Sequence, residues 1–272
     1  MDLLDLLKID VPVLQAGMGD LAPAGLAAAV ASAGALGTIG FRAPAELRKQ
    51  VRQVREIAPD RAVAVNLLMP FTRRAHVDAV LAERPDVMVL AFGGDPGLVQ
   101  RLHDADVTVC VLVGDVERAR QAMSWGTDVL IAQGVESGGH LSGGVVGDDV
   151  VRQVLEATAT QVTTLFGLGW PCPHRVVANA ATRKWCAPDG RAKPLPRIIN
   201  ARSALLSRIA PDGDTGGLVA RQRVGLPMFS PAAPTEEMRN DWVERSALYA
   251  GETAQRINAV VRAADAVADL TP

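Results

Sequence analysis

Aromatic residues make up only 4% of this 272-residue sequence, with a single tyrosine among them. Cysteine is rarer: Cys110, Cys172 and Cys186 are the 3 in the chain. So sparse and odd a set argues against a disulfide-stapled secreted scaffold and leads us to expect a reducing, cytoplasmic setting. Neither sign of charge is in excess. With 28 Lys and Arg against 30 Asp and Glu, a formal net charge of -2, there is no broad basic field for a phosphate backbone, so nucleic acid is not an expected partner. Runs of about 18 uninterrupted apolar residues are missing too, which leads us to expect no membrane span. The opening "MDLLDLLKID" carries acid where an export signal carries positive charge, so export is not expected either.

What is present is a high hydrophobic content, 49%, arranged in short β-branched runs. These are "VPVLQA" from Val11, "ALGTIG" from Ala35, "AVAVNLLM" from Ala62, "VMVLAFG" from Val87, "VTVCVLV" from Val107 and "DVLIAQG" from Asp128. Continuous apolar runs of that length predict strands buried on both faces. Helical spacing fills the intervals, as in "APAGLAAAVASAG" and "PAELRKQVRQVREIA", the latter with its charges expected on a solvated face. Strand starts fall roughly 20 to 27 residues apart, the length of a βα unit, which predicts a parallel sheet with right-handed crossovers. The period alone leaves open a doubly wound sheet or a (β/α) barrel, and in both the ligand sits at the carboxyl ends of the strands.

Beyond Gly144 the pattern changes. "DDVVRQVLEATATQ" reads as helical, "TTLFGLGWPCPHRVVANAATRKW" as irregular, and a helix is expected from about Thr235 to Asp269, broken near Gly251. No seventh or eighth buried strand is recognisable. The division expected is therefore residues 1–150 as a partial barrel and 151–272 as a helical and irregular region packing on it.

Chemistry concentrates in "IAQGVESGGHLSGG", residues 131–144, where five glycines surround His140 directly after a buried run. A neutral imidazole takes a proton near physiological pH, and bare glycine backbone can lie against a flat or phosphorylated ligand. The segment matches neither the dinucleotide fingerprint nor a P-loop. Glu136 is read as a structural residue bonding to backbone amides. Cys172 and His174 of "PCPH" lack the spacing of a known zinc site, so no metal is expected. His76 and His103 are expected to be solvated.

Several of these stretches are similar to the flavin-dependent nitronate monooxygenases, formerly called 2-nitropropane dioxygenases. The likeness lies in "VPVLQAGMG", "GALGTIGF", "AVNLLMP" and, most specifically, "DVLIAQGVESGGH", with "TTLFGLGWPCPHRVVAN" and "YAGETAQRI" in the last third. It implies a TIM-type (β/α) barrel and non-covalently bound FMN. It further implies that Ala16, Gly17 and Met18 lie against the flavin ring, that Asn66 and Gln133 hydrogen-bond to it, and that Gly138 and Gly139 lie along the cofactor. His140 matches the family's catalytic base, and Tyr249 and Gly251 would close over the flavin. The implied reaction oxidises an alkyl nitronate with O2 to a carbonyl compound and nitrite, His140 taking the α-proton when the neutral nitroalkane is the substrate.

The chain departs from that pattern after the histidine segment, where the family's seventh and eighth strands bind the FMN phosphate. About six strands are recognisable, an incomplete barrel whose two edges need covering. The C-terminal segment or a second subunit in a homodimer would answer that need; the third alternative is a decayed or deleted relative that folds poorly. Two other functions stay open: an FMN-dependent enoyl reductase, and a non-catalytic relative without the phosphate site.

Overall fold

A computed structural model of the protein describes residues 2–142, 160–207, 221–233, 240–251 and 259–271. It forms two compact units, one of Met1–Gln133 with Ala259–Pro272 and one of Gly134–Asn258.

The first unit is a layer of parallel strands with helices between them. Its elements are α1 (Leu3–Leu7), α2 (Ala24–Ser32), β1 (Gly37–Ile39), α3 (Pro44–Ile57), β2 (Val63–Leu68), α4 (Arg74–Glu83), β3 (Val87–Ala91), α5 (Pro96–His103), β4 (Thr108–Val113), α6 (Val116–Ser124) and β5 (Val129–Ala132). The sheet order β1-β2-β3-β4-β5 follows the chain, because each helix carries the chain back to start a parallel neighbour. Thr38 faces Ala64, Asn66 faces Val89 and Cys110 faces Val129 across successive pairs. Among the described residues these strands do not close into a ring.

Alternation along the strands divides two apolar layers. Val63, Val65, Leu67, Met88, Leu90, Val109 and Val111 pack with the helices in one cluster, while Ala64, Val87, Val89 and Cys110 turn the other way, towards Leu7 and Ile9. Asn66 shares the face of Ala64, so its carboxamide stands on the side away from the crossover helices. Local signals start the helices: Asp95 and Asp115 accept from the N–H of Leu98 and Arg118, and Pro44 and Pro96 sit in first turns, each satisfying or removing an orphan donor. On α3, Leu47, Val51 and Val54 are buried. Two of its outer charges, Arg48 and Arg52, do more than face water, since both reach the buried Glu83 of α4 at 2.9 and 2.7 Å.

The run from Val11 is not a strand of its own. It meets the sheet through one parallel bridge, Leu14 to Leu36, because Pro12 has no N–H to continue the ladder. His76 is buried, not solvated: its Nδ1 accepts from the Arg73 N–H at 3.1 Å and its ring stacks 4.9 Å from Phe41. His103 bonds Asp128 at 2.9 Å. The helix Ala263–Leu270 returns to this unit and buries Val267 beside Val30 and Ala35.

The second unit is built on an antiparallel sheet ordered β6-β8-β7, from β6 (Gly139–His140), β7 (Thr160–Thr163) and β8 (His174–Val177). The stretch expected to be irregular therefore holds a strand and a helix, Ala180–Trp185, whose Asn179 and Thr182 form a reciprocal cap. Thr160 and Gln161, expected to end a helix, lie in β7; residues 143–159 are outside the described residues. Of the helix expected from about Thr235 to Asp269 with a break near Gly251, the described residues hold a 3-10 helix, Asn240–Arg245, then extended chain in which Tyr249 bridges Val176, and the helix Ala263–Leu270; residues 234–239 and 252–258 lie outside the described residues. Phe166, Phe229, Leu165, Val176 and Ala247 form the core of this unit.

Candidate active site

His140 ends the two-residue strand β6, and its backbone is fixed from both sides. Arg175 on β8 is fully buried and donates from Nε and a terminal nitrogen to the Val135 carbonyl at 3.2 and 2.8 Å, drawing the preceding loop onto the sheet. Leu141, next in the chain, donates its N–H to Pro173 O at 2.9 Å and accepts from the Cys172 thiol at 3.2 Å. Two glycines let the loop pass. A Cβ on Gly138 would lie 2.7 Å from Gly251 N, and Gly139 has φ +83° with none of the described residues within 4 Å of its Cβ position. Glu136 folds its carboxylate over Gly134.

The imidazole of His140 lies against Trp170, ring centres 4.0 Å apart and planes 14° from parallel. His174 and Tyr249 stand on its other sides, each 5.1 Å from its centre. The Tyr249 hydroxyl is 3.4 Å from His140 Nε2 and donates to Pro231 O at 2.6 Å. His174 is fully buried with its ring nitrogens engaged: Nε2 accepts from Phe166 N–H at 3.3 Å and Nδ1 lies 2.9 Å from Cys172 O.

Such surroundings disfavour charge. Burial first, and the neighbouring His174 second, hold the His140 imidazole well below its ordinary pKa of 6.5. Burial likewise lowers His174 to about 4, only partly opposed by its bond to Cys172 O. The Tyr249 phenol is pushed well above 10.0 by burial. At neutral pH the cluster is a neutral imidazole between aromatic faces, able to take a proton but not burdened with one. Among the described residues no group of three or more His, Cys, Asp or Glu could hold a metal, and no helix is long and apolar enough to cross a membrane.

The remaining residues implicated by the sequence belong to the first unit. Gly17 lies against Asn66, where a Cβ would come 2.4 Å from Asn66 Cβ. Asn66 is buried and donates from Nδ2 to Val89 O at 3.2 Å. Ala16 is exposed, its carbonyl accepting from the Gln15 side chain at 2.9 Å, and Met18 is 44% exposed. Gln133, just after β5, donates its backbone N–H to Val113 O at 2.8 Å. So Gly17 and Asn66 meet in one unit, and Gly138, Gly139 and His140 are consecutive in the other.

The model of the nitronate monooxygenase family matches residues 1–76 and 61–165, together more than half of the chain. The chain belongs to this family. It is 32% identical over 160 residues to a Mycobacterium tuberculosis protein, (3aS,4S,5R,7aS)-5-hydroxy-7a-methyl-1-oxo-octahydro-1H-indene-4-carboxyl-CoA dehydrogenase, covering 58% of this chain and 44% of that protein. A probable nitronate monooxygenase of Staphylococcus saprophyticus is 27% identical over 201 residues, 60% of this chain and 53% of the relative. The chain thus spans about half the length of the curated relatives it matches. In fold it is similar to FabK from Thermotoga maritima, with a TM-score of 0.69 at 20% identity over 98% of this chain and 93% of that one. It is also similar to a nitroalkane oxidase from Streptomyces ansochromogenes, with 0.66 at 19% over 98% and 96%. This likeness is one of fold, the TIM-type α/β class, to which the first unit contributes five parallel strands.

The sequence singles out His140, and the family resemblance brings in Tyr249; His174 is considered there only beside Cys172 as a metal pair. Trp170 lies in a stretch that reads as irregular, and nothing in the sequence places it on the His140 ring.

Proposed function

We propose that the chain is a flavin-dependent oxidoreductase of the nitronate monooxygenase type, binding FMN and oxidising alkyl nitronates or nitroalkanes with O2. The observation that carries the reading is the neutral His140 held between Trp170 and Tyr249 at the end of the Gly138–Gly139 turn. Two features support a flavin. Gly139 presents bare backbone with no described residue within 4 Å of its Cβ position, as a flat ring requires. Asn66 and Gln133 lie near the carboxyl ends of β2 and β5, where parallel sheets hold their ligands. FMN, when bound, supplies the redox chemistry that no side chain can.

The chain's own part is proton handling and shielding. His140 takes the α-proton of a neutral nitroalkane, and the aromatic faces of Trp170 and Tyr249 limit water around the imidazole so that its basicity is directed at the substrate. A preformed nitronate has already lost that proton. His140→Ala is therefore expected to slow O2 consumption with a nitroalkane by about 100-fold or more, while turnover of the nitronate persists. Titrating the purified protein with FMN and following its absorption bands is the prior test. Protein that stays colourless and binds no FMN would overturn the reading.

The resemblance to the mycobacterial CoA-ester dehydrogenase favours a second reading, an FMN enzyme of the enoyl-reductase kind acting on a thioester substrate. Flavin reduction by NADH or NADPH without any nitronate would select it. A second copy of the chain is the proposed partner for the ends of the parallel sheet, and sedimentation of the purified protein tests that.

A further inference from the structure

We propose that a groove in the second unit, between the helix Pro194–Ser207 and the chain at Pro171, binds a small amphipathic carboxylate, its head on Arg197 and its unbranched alkyl tail along the helix. None of the residues that line it belongs to the His140 cluster, so the inference stands or falls without the flavin reading.

Shape comes first. The groove holds about 520 Å³, within the range of small-molecule sites, and Pro171, Pro194, Ile198 and Ala201 give it apolar walls. Steps of four and three residues put Pro194, Ile198 and Ala201 on one helix face. From Pro194 to Ala201 that face runs about 10 Å, the reach of an extended chain of about eight carbons. Ile198 is 50% exposed, and covering it with an alkyl chain is favourable.

The groove is built rather than incidental. Asn200, which also lines it, is 1% exposed and donates from Nδ2 to the carbonyls of Thr164 and Leu165 at 2.8 and 3.1 Å. Ser203 Oγ accepts from the Gly169 N–H at 2.7 Å. These bonds pin the helix to the Thr164–Pro171 loop, so little freedom is lost when the groove fills. That loop also carries Trp170, the ring stacked on His140, so an occupant resting on Pro171 bears on it.

Charge selects the head group. The stretch Pro194–Ser207 contains two arginines, Arg197 and Arg202, and no acid. Among the described residues no carboxylate lines the groove. Arg197 is exposed, and its guanidinium, without an ion pair among the described residues, presents a planar fork that matches a carboxylate. The same charge disfavours a second copy here, since a two-fold contact would bring two basic faces together.

Titration calorimetry of the full chain without flavin tests this with octanoate, octanamide and acetate as probes. Octanoate should bind saturably at one site, octanamide about 3- to 5-fold more weakly for want of one partly solvated ion pair, and acetate not at all for want of a tail. Arg197→Gln should weaken octanoate by the same factor and leave octanamide unchanged. Ala201→Trp, which fills the groove from an exposed position, should abolish binding of both. Arg120→Gln, at an exposed arginine of α6, controls for general loss of charge and should change nothing. Comparing the three probes on the unsubstituted protein needs no variant. Absence of saturable octanoate binding, equal affinity for octanamide, or binding that survives Ala201→Trp would each overturn the proposal. So would sedimentation showing a dimer that Ala201→Trp disperses and octanoate does not, which would assign the groove to a second copy.

Discussion

At the scale of single residues, burial without a counter-charge governs the candidate site. His174 shows the consequence for stability most clearly, because its folded pKa of about 4 lies below the ordinary 6.5. Between these two values the unfolded chain binds a proton that the folded protein refuses, so stability must fall as pH drops from about 6.5 to about 4. Above 6.5 neither state is protonated and the full contribution is present. A shift of that size corresponds to about 3 kcal/mol, and His140 acts in the same direction. Urea midpoints measured at pH 7, 5 and 4 should decline in that order, and the decline should be shallower in His174→Gln. Glu83 acts in the same direction in a more acidic range: its hydrogen bond to Arg52 leads the causes that lower its carboxyl pKa, so the stability it contributes is likewise lost as pH falls.

Elements in this protein pack at distances that glycine makes possible. Gly37 begins β1 beneath α2, where an added Cβ would fall 1.9 Å from Ala27 O, a backbone atom that cannot step aside. Gly37→Ala should therefore destabilise the first unit by about 3 kcal/mol or more, through displacement of α2. Gly25 on the same helix has nothing within 4 Å of its Cβ position. Gly25→Ala is expected to be neutral or to stabilise by about 0.5 kcal/mol, since alanine costs less backbone entropy in a helix. Denaturant unfolding of the pair tests the contrast, and equal effects would contradict it. The same reasoning reaches the second unit, where Gly138 has Gly251 N at 2.7 Å from its Cβ position.

At the scale of the whole molecule, the chain leaves its first unit after Gln133 and comes back at Ala259. The returning helix seats Val267, 5% exposed, against the cluster of Val30 and Ala35. Val267→Ala removes two buried methyl groups and should cost about 1.5 kcal/mol. The loss should register in amide exchange of α2 and leave β7 and β8 unaffected, because those strands belong to the other unit. Uniform loss of protection in both units would mean that they unfold together.

Apolar periodicity made β1 to β5 and their helices legible along the chain, because a strand buried on both faces must be apolar throughout and a crossover helix must be amphipathic. His140 was legible too, as the only histidine set among glycines. The antiparallel sheet of the second unit was not: β6 has two residues, and β8, four residues after a proline-rich turn, is stabilised by pairing with chain distant in sequence. The cap formed by Asn179 and Thr182 is a local signal for the helix that follows it. Local sequence thus settled which stretches form the parallel layer and which side chain carries a titratable nitrogen. Tertiary contact alone decided that Trp170, His174 and Tyr249 surround that nitrogen. Proton affinity depends on burial by residues as far apart in sequence as His140 and Tyr249, and no short-range pattern encodes it.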